Sequence, residues 1–464
     1  MPDYRRRATR EAMSVRVDLS GLVAAREERG HMRRAEVERV VGRLASVAAA
    51  LWKRKEHGEV PFLALAERRE LLSQVKALAE EVRRECDTLV VVGAGGTAHA
   101  TRALLGAVEQ PSPRLAFLET LDPHALAAWL ETVDLARTTF NVVSKSGETP
   151  ETLAQFLLLR DLLLRHLGGV DYISRIIVTT DADQGALRQI VHDEGFRSLP
   201  IPAGVAERFS VLSPTSLFPA AVVGMKVDEV LAGAAWMTQR CLGEASHSPA
   251  ALLAAAAFVL QSTEGYTGIL CLPFSRRLER FAQWASELWA EGLRRDEGWS
   301  GTPVQVPWLP VASVAWDFAW ASQLVASGPG GVLPVLLAVE DHGREVSLAE
   351  AYADLEGVGY LGGKSLGQLI AEVQQAFASV LARRGRAFVS LRLPQVNAFT
   401  LGQLVALWQI TVVFLAELYG VDPFQQPAAD EYRRLLFGEL GRKGAEAAPQ
   451  EGGAAGSEPE PWVV

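Results

Sequence analysis

Three short stretches of the 464-residue chain gather side chains that could bind or transform an anion. In "NVVSKSGETPET" (141–152) an apolar, strand-like run ends in Ser144, Lys145, Ser146 and Thr149, just ahead of Pro150. Proline suits the first position of a helix and threonine the cap before it. Hydroxyls, exposed backbone N–H groups and a helix dipole together make a compact phosphate cradle. In "VVVGAGGTA" (90–98) Gly93, Gly95 and Gly96 separate a β-branched run from a helical one, a turn that lets backbone N–H groups approach an anion. By itself, Gly93-x-Gly95-x-x-Ala98 followed by Glu119 also fits a dinucleotide-binding turn. A dinucleotide site has no need of the Ser-Lys-Ser loop, and the two loops together favour a phosphorylated small molecule.

The third stretch is "SRRLERFAQWASELWAEGLRRD" (275–296), where Phe281, Trp284 and Leu288 form an apolar stripe at helical spacing. Glu291 occupies the next position of that stripe, and Glu287 lies one turn earlier. A carboxylate facing a core is costly unless it is paired or used. Burial and mutual repulsion are expected to raise its pKa towards the range of a general base. The alternative is that the helix frays at Gly292 and Glu291 reaches water. Arg208, in "ERFSVLSPTSLFPAAVVGM" (207–225), precedes an apolar run with a helix start at Ser213-Pro214.

These residues need elements to hold them. Residues 18 to about 85 carry helical spacing, as in Val37, Val40, Leu44 and Val47. From 88 onwards strand-like and helix-like runs alternate: "TLVVV", "PRLAFLE", "TTFNVVS", "SRIIVTTD" and "RSLPIP" with helical pieces between them. After about 246 follow "TGILCLPF", "VLPVLLAVE" and "RAFVSLRLP". Such alternation implies parallel sheets covered by helices on both faces.

Composition narrows the function. The net charge of −9 argues against nucleic acid as a partner. Cys86, Cys241 and Cys271 form no CxxC pair and no HExxH occurs, so neither a disulfide framework nor a metal site is signalled. Three reduced, buried thiols are expected. The basic start "MPDYRRR" has no apolar core behind it, and "LVALWQITVVFLAELYG" (404–420), with Gln409 and Glu417, reads as a buried helix. No membrane association and a cytoplasmic location are the expectation.

In order and spacing, "GAGGTA", "ETLDP", "NVVSKSGETPET", "ERFSVLSPTSLFPAAVVGM", "ELWAEG", "YLGGKSLGQLI" and "YGVDPFQQPAADEYRR" resemble the glucose-6-phosphate isomerase family from about Asp18 to Arg442. The resemblance implies an α/β protein of two sugar-isomerase (SIS) domains, each a doubly wound parallel sheet in a three-layer αβα arrangement. The expected organisation is a helical N-terminal section over 1–85, a first domain over 86–245 and a second with C-terminal helices over 246–440. The Gly-, Ala-, Pro- and Glu-rich 441–464 reads as a disordered tail.

The implied activity interconverts glucose 6-phosphate and fructose 6-phosphate in a homodimer, without metal or redox cofactor. Carried over by position, Ser144, Lys145, Ser146 and Thr149 would hold the phosphate, Gly96 and Thr97 would line the sugar, and Gln426 would contact substrate. Glu291 would move a proton between C1 and C2, and Arg208 would face the enediolate. Several positions depart from the family pattern. The ring-opening histidine falls on Ala319, and the ring-opening lysine on Arg433, which keeps the charge but cannot release a proton near neutrality. Glu287 stands where glutamine is usual, Glu148 adds charge to the phosphate loop, and His99 replaces an apolar residue. His99 reads either as a substitute acid–base group or as a loop-packing residue. Retention of Glu291, Arg208 and the Ser-Lys-Ser loop favours an isomerase impaired at ring opening. The rival reading is a non-catalytic sugar-phosphate-binding regulator on the same fold.

Overall fold

Each apolar run of the alternating region becomes a strand. The computed structural model describes residues 3–23, 27–93, 95–108, 111–293, 318–327, 331–425 and 427–445. Its strands are β1 (Arg16–Asp18), β2 (Thr88–Val92), β3 (Arg114–Leu118), β4 (Thr138–Ser144), β5 (Ile176–Asp181), β6 (Arg197–Ile201), β7 (Gly268–Pro273), β8 (Val332–Asp341) and β9 (Val389–Gln395). The first sheet has five strands in the order β3-β2-β4-β5-β6, all parallel. β4 is buried along its whole length, as a central parallel strand covered on both faces must be. Val90, Phe140, Val142, Ile176 and Val178 meet Phe156, Leu159 and Leu163 of the Pro150–Leu167 helix in one core layer. Val91, Val143 and Ile201 form a smaller cluster of their own.

That strand order reverses direction between β2 and β4. In open α/β sheets the crevice at such a reversal, outside the carboxyl ends of the strands, is where ligands bind. β2 and β4 pair in register with Val92 opposite Val142. The glycine turn and the Ser-Lys-Ser loop therefore leave neighbouring strands at the same edge.

The second sheet has the order β1-β9-β8-β7, with β7, β8 and β9 parallel. Here the N-terminal section, expected to be helical, also supplies a strand. β1 adds an antiparallel edge strand to β9, with Asp18 Oδ2 accepting from Arg392 Nε and Nη2 at 2.9 and 2.6 Å. Three residues, "RVD", carry too little alternation to announce a strand.

The Ala398–Tyr419 helix runs through the interior, and among the described residues it alone is long and apolar enough to cross a membrane; its apolar stretch is fully buried here. Gly402 faces the Val230 carbonyl and Gly233 the Phe399 carbonyl so closely that a Cβ at either would collide, which brings this helix hard against the Val227–Cys241 helix. Trp408 donates from Nε1 to the Ala285 carbonyl at 2.7 Å and anchors the Glu279–Leu293 helix. Cys86, Cys241 and Cys271 are free and buried, as expected.

The chain divides into two compact units, Met1–Pro423 and Phe424–Val464. Within the second, Pro427–Glu439 is a helix in which Arg433 Nη1 donates to Asp430 Oδ1 at 3.2 Å. Most of the expected tail, 446–464, lies outside the described residues.

Candidate active site

The loop after β4 is a tight turn braced from its neighbour. Ser144 Oγ accepts from the Gly147 N–H at 3.1 Å and lies 2.9 Å from Thr149 Oγ1, and Ser146 Oγ accepts from the Glu148 N–H at 3.2 Å. Gly147 takes φ +67°, a conformation that favours glycine. The loop after β5 supports it: the Asp181 N–H donates to Lys145 O at 3.2 Å and the Leu187 N–H to Gly147 O at 3.1 Å. Gly185 approaches the Ser146 carbonyl so closely that no side chain would fit there. Thr149 is the N-cap residue of the Pro150–Leu167 helix, as its sequence position suggests, but its hydroxyl does not cap it and turns to Ser144 instead. The first-turn N–H groups thus have no side-chain acceptor from the cap, which suits an incoming anion.

On the adjacent strand, Gly93 lies under the Val143 carbonyl, where a Cβ would come within 2.8 Å. Gly95, at φ +52°, opens the Gly96–Leu105 helix, and Thr97 is buried in its first turn. Both oxygens of Glu119 accept from Arg102, at 2.7 Å each. The carboxylate considered for a ribose is thus engaged within the fold.

Arg208 sits in a short turn, Glu207–Phe209, fixed by burial of Phe209, whose ring centroid lies 4.8 Å from that of Phe62. Ser213 then caps the Pro214–Val222 helix, accepting from the Thr215 N–H at 3.3 Å. The Arg208 guanidinium lies over Gly96, and a Cβ there would occupy the same space. Its Nε contacts Glu291 Oε2, and its Nη1 is 3.9 Å from Glu287 Oε2. Phe281, Trp284 and Leu288 are buried, as their spacing predicts, and bring Glu291 to the guanidinium. The helix does not fray at Gly292: it continues to Leu293, and Gly292 packs where a Cβ would stand 2.6 Å from Val412 Cγ1. Burial raises the Glu291 pKa; Arg208 pulls it back, and the charges of Glu207 and Glu287 push it up further.

The Phosphoglucose isomerase family model matches residues 64–296. A glucose-6-phosphate isomerase of Rubrobacter xylanophilus is 36% identical over 396 residues, covering 83% of this chain and 90% of that protein. The chain belongs to the phosphoglucose isomerase family. A second relative, the glucose-6-phosphate isomerase of Carboxydothermus hydrogenoformans, is 29% identical over 95% of this chain and 97% of its own length. A crystal structure of a hypothetical protein from Thermus thermophilus superposes with a TM-score of 0.82 at 30% identity, over 92% of this chain and all of that one, 100%. A glucose-6-phosphate isomerase from Chlamydia trachomatis shares the fold, with a TM-score of 0.71 at 20% identity over 82% of this chain and 74% of its own.

Within this family member, the structure brings Gly96, Arg208, Glu287 and Glu291 into one cluster, with the Ser144–Thr149 loop on the neighbouring strand. Gln426 and the segment 294–317 lie outside the described residues. Ala319 is exposed on a short helix, Phe318–Ser322, held by Phe318 stacked on Phe274 at 5.0 Å and by buried Ala321. Two features escaped the sequence reading. Gly185 braces the phosphate loop, and the "TTDADQG" turn after β5 is a signal that could have exposed it. His99 Nδ1 contacts Glu287 Oε1, joining two departures that lie far apart in the chain. Among the described residues no cluster of metal-ligating side chains occurs.

Proposed function

We propose that the protein interconverts glucose 6-phosphate and fructose 6-phosphate, with Glu291 as the base that carries the proton between C2 and C1. The observation that carries this reading is the contact of a half-buried, pKa-raised Glu291 with Arg208 over the Gly96 turn. A carboxylate accepts the C2 proton of the open-chain aldose and returns it at C1, while a fixed cation stabilises the enediolate formed between the two steps. The phosphate is taken by Ser144, Ser146, Thr149, Lys145 and the first turn of the Pro150–Leu167 helix, with Gly96 and Thr97 lining the sugar. This chemistry runs on side chains alone and needs no redox cofactor.

Ala319 and Arg433 bear on ring opening, not on proton transfer. Sugar entering as the open chain is isomerised, and turnover of cyclic substrate is limited by how little open chain is present. Gln426 is assigned to the substrate by its position in the family pattern. We also assign the protein to the cytoplasm as a homodimer with no nucleic-acid or membrane partner; the acidic net charge of −9 bears on the first of these partners, a polyanion that it would repel. Light scattering at micromolar concentration should give twice the chain mass of 50.2 kDa.

The deciding experiment follows solvent deuterium into C2 of glucose 6-phosphate. Wild-type protein should catalyse this exchange and Glu291→Gln should abolish it. Binding of the sugar phosphate without exchange above the Glu291→Gln level would replace the isomerase with a sugar-phosphate-binding regulator.

A further inference from the structure

Two carboxylates share one guanidinium in this site. Glu291 Oε2 contacts Arg208 Nε, and Glu287 Oε2 stands 3.9 Å from Nη1. Glu287 Oε2 is shielded from solvent and accepts no hydrogen bond among the described residues. With both carboxylates ionised the trio carries excess negative charge before any substrate arrives, and an enediolate would add more. Repulsion of that kind opposes the step the site must promote.

Among the described residues, the other ion-pair contact of Glu287 is His99, whose Nδ1 meets Oε1. His99 projects from the first turns of the Gly96–Leu105 helix. Glu119 lies within electrostatic reach of His99, and of Arg102 and Arg280 as well. Arg102 and Glu119 close on each other through two 2.7 Å hydrogen bonds.

We propose that His99 is a positioning residue for the reaction: through Nδ1 it holds Glu287, so that Arg208 stays directed at Glu291 and at the oxyanion formed beside it. This inference rests on the isomerase reading given above. No bond is made or broken at His99; its effect is electrostatic and passes through Glu287.

His99→Leu removes the ring nitrogen that meets Glu287. kcat should fall about tenfold or more, because an interaction felt mainly in the transition state is lost. KM should change by less than about threefold, since the phosphate is held by a separate loop. Adding Glu287→Gln to that variant should return kcat to within about threefold of wild type, because no charge is left to offset. A His99 that merely packs would lose activity in step with its melting temperature and gain nothing from the second substitution. If His99→Leu does not fold, His99→Gln keeps a polar side chain of similar reach and serves the same comparison.

A five-carbon aldonate 5-phosphate provides a readout independent of turnover, since its planar carboxylate resembles the enediolate in shape and charge. Its affinity should fall about tenfold in His99→Leu and recover in the double variant. Wild-type kcat and aldonate affinity in His99→Leu, or a double variant no better than the single one, would overturn the proposal. Absence of deuterium exchange in the wild type would defeat the isomerase reading alone, and aldonate affinity would still decide the role of His99.

Discussion

The turn after β4 and the cluster over Gly96 are both built for negative charge, by different means. The turn relies on hydroxyls, backbone N–H groups and a helix end, folded on themselves and braced by the loop after β5. The cluster sets Arg208 and His99 against Glu287 and Glu291 in close contacts partly shielded from water. A phosphate is the same anion in substrate and product, so donors held in a fixed frame suffice to hold it. An enediolate exists only between them, and stabilising it selectively needs charges whose strength depends on burial and on their neighbours. Damage to the first region should therefore appear in binding, and damage to the second in turnover.

Glu291→Gln should break the second region most severely. Shape is kept and the base is removed, so kcat should fall by about 10²–10⁴, with sugar-phosphate affinity close to wild type in calorimetry. A comparable loss of affinity would erase the contrast between the two regions.

Gly96→Ala is a subtler attack on the same cluster. The new Cβ would occupy the space of the Arg208 guanidinium, the mobile end of a long side chain, which must swing aside. Displacement by about 1 Å can cost about 10²-fold in rate, whereas stability should change little because no backbone atom obstructs the Cβ. Steady-state kinetics with thermal melts would check both halves.

Ser144→Ala with Thr149→Ala tests the other region. These hydroxyls lie 2.9 Å apart at the mouth of the turn. Losing them should weaken fructose 6-phosphate binding by about 2 kcal/mol, near thirtyfold in Kd, with kcat at saturation nearly unchanged. A fall in kcat at unchanged Kd would reverse the assignment of roles.

The two regions were also unequally legible in the sequence. The phosphate turn is local: strand, hydroxyls, threonine and proline fall within "NVVSKSGETPET", and hydrophobic periodicity alone placed β2 to β9. Glu291 was legible because it continues a buried stripe on its own helix. What the sequence could not reveal depends on long-range packing. The reversal between β2 and β4 emerges only from the pairing order, and β1 reaches its partner β9 across most of the chain. His99 and Glu287 each stood out as unusual, yet only the packing of the Gly96–Leu105 helix against the Glu279–Leu293 helix makes them a pair. The cap at Thr149 was half legible. Its position was right, but its hydroxyl serves Ser144.

The smallest effect concerns protons. Burial raises the Glu291 pKa above the ordinary value of 4.5, Arg208 opposes this, and Glu207 and Glu287 add to it. A base works deprotonated, so the acid limb of the kcat/KM profile should lie above the usual glutamate range. Glu287→Gln removes one of the upward contributions and should move that limb to slightly lower pH. Stability must shift with it through linkage. A carboxyl with a raised folded pKa favours the native state at pH below 4.5, and that contribution is lost as pH rises through the folded value. Denaturant titrations between pH 4 and pH 8, compared between wild type and Glu291→Gln, should therefore show the wild type losing relative stability as pH rises. A Ser144→Ala, Thr149→Ala variant keeps Glu291 and should retain the wild-type slope. If its slope instead matched that of Glu291→Gln, the proton would not belong to the charged cluster, and the division of labour between the two regions would fail.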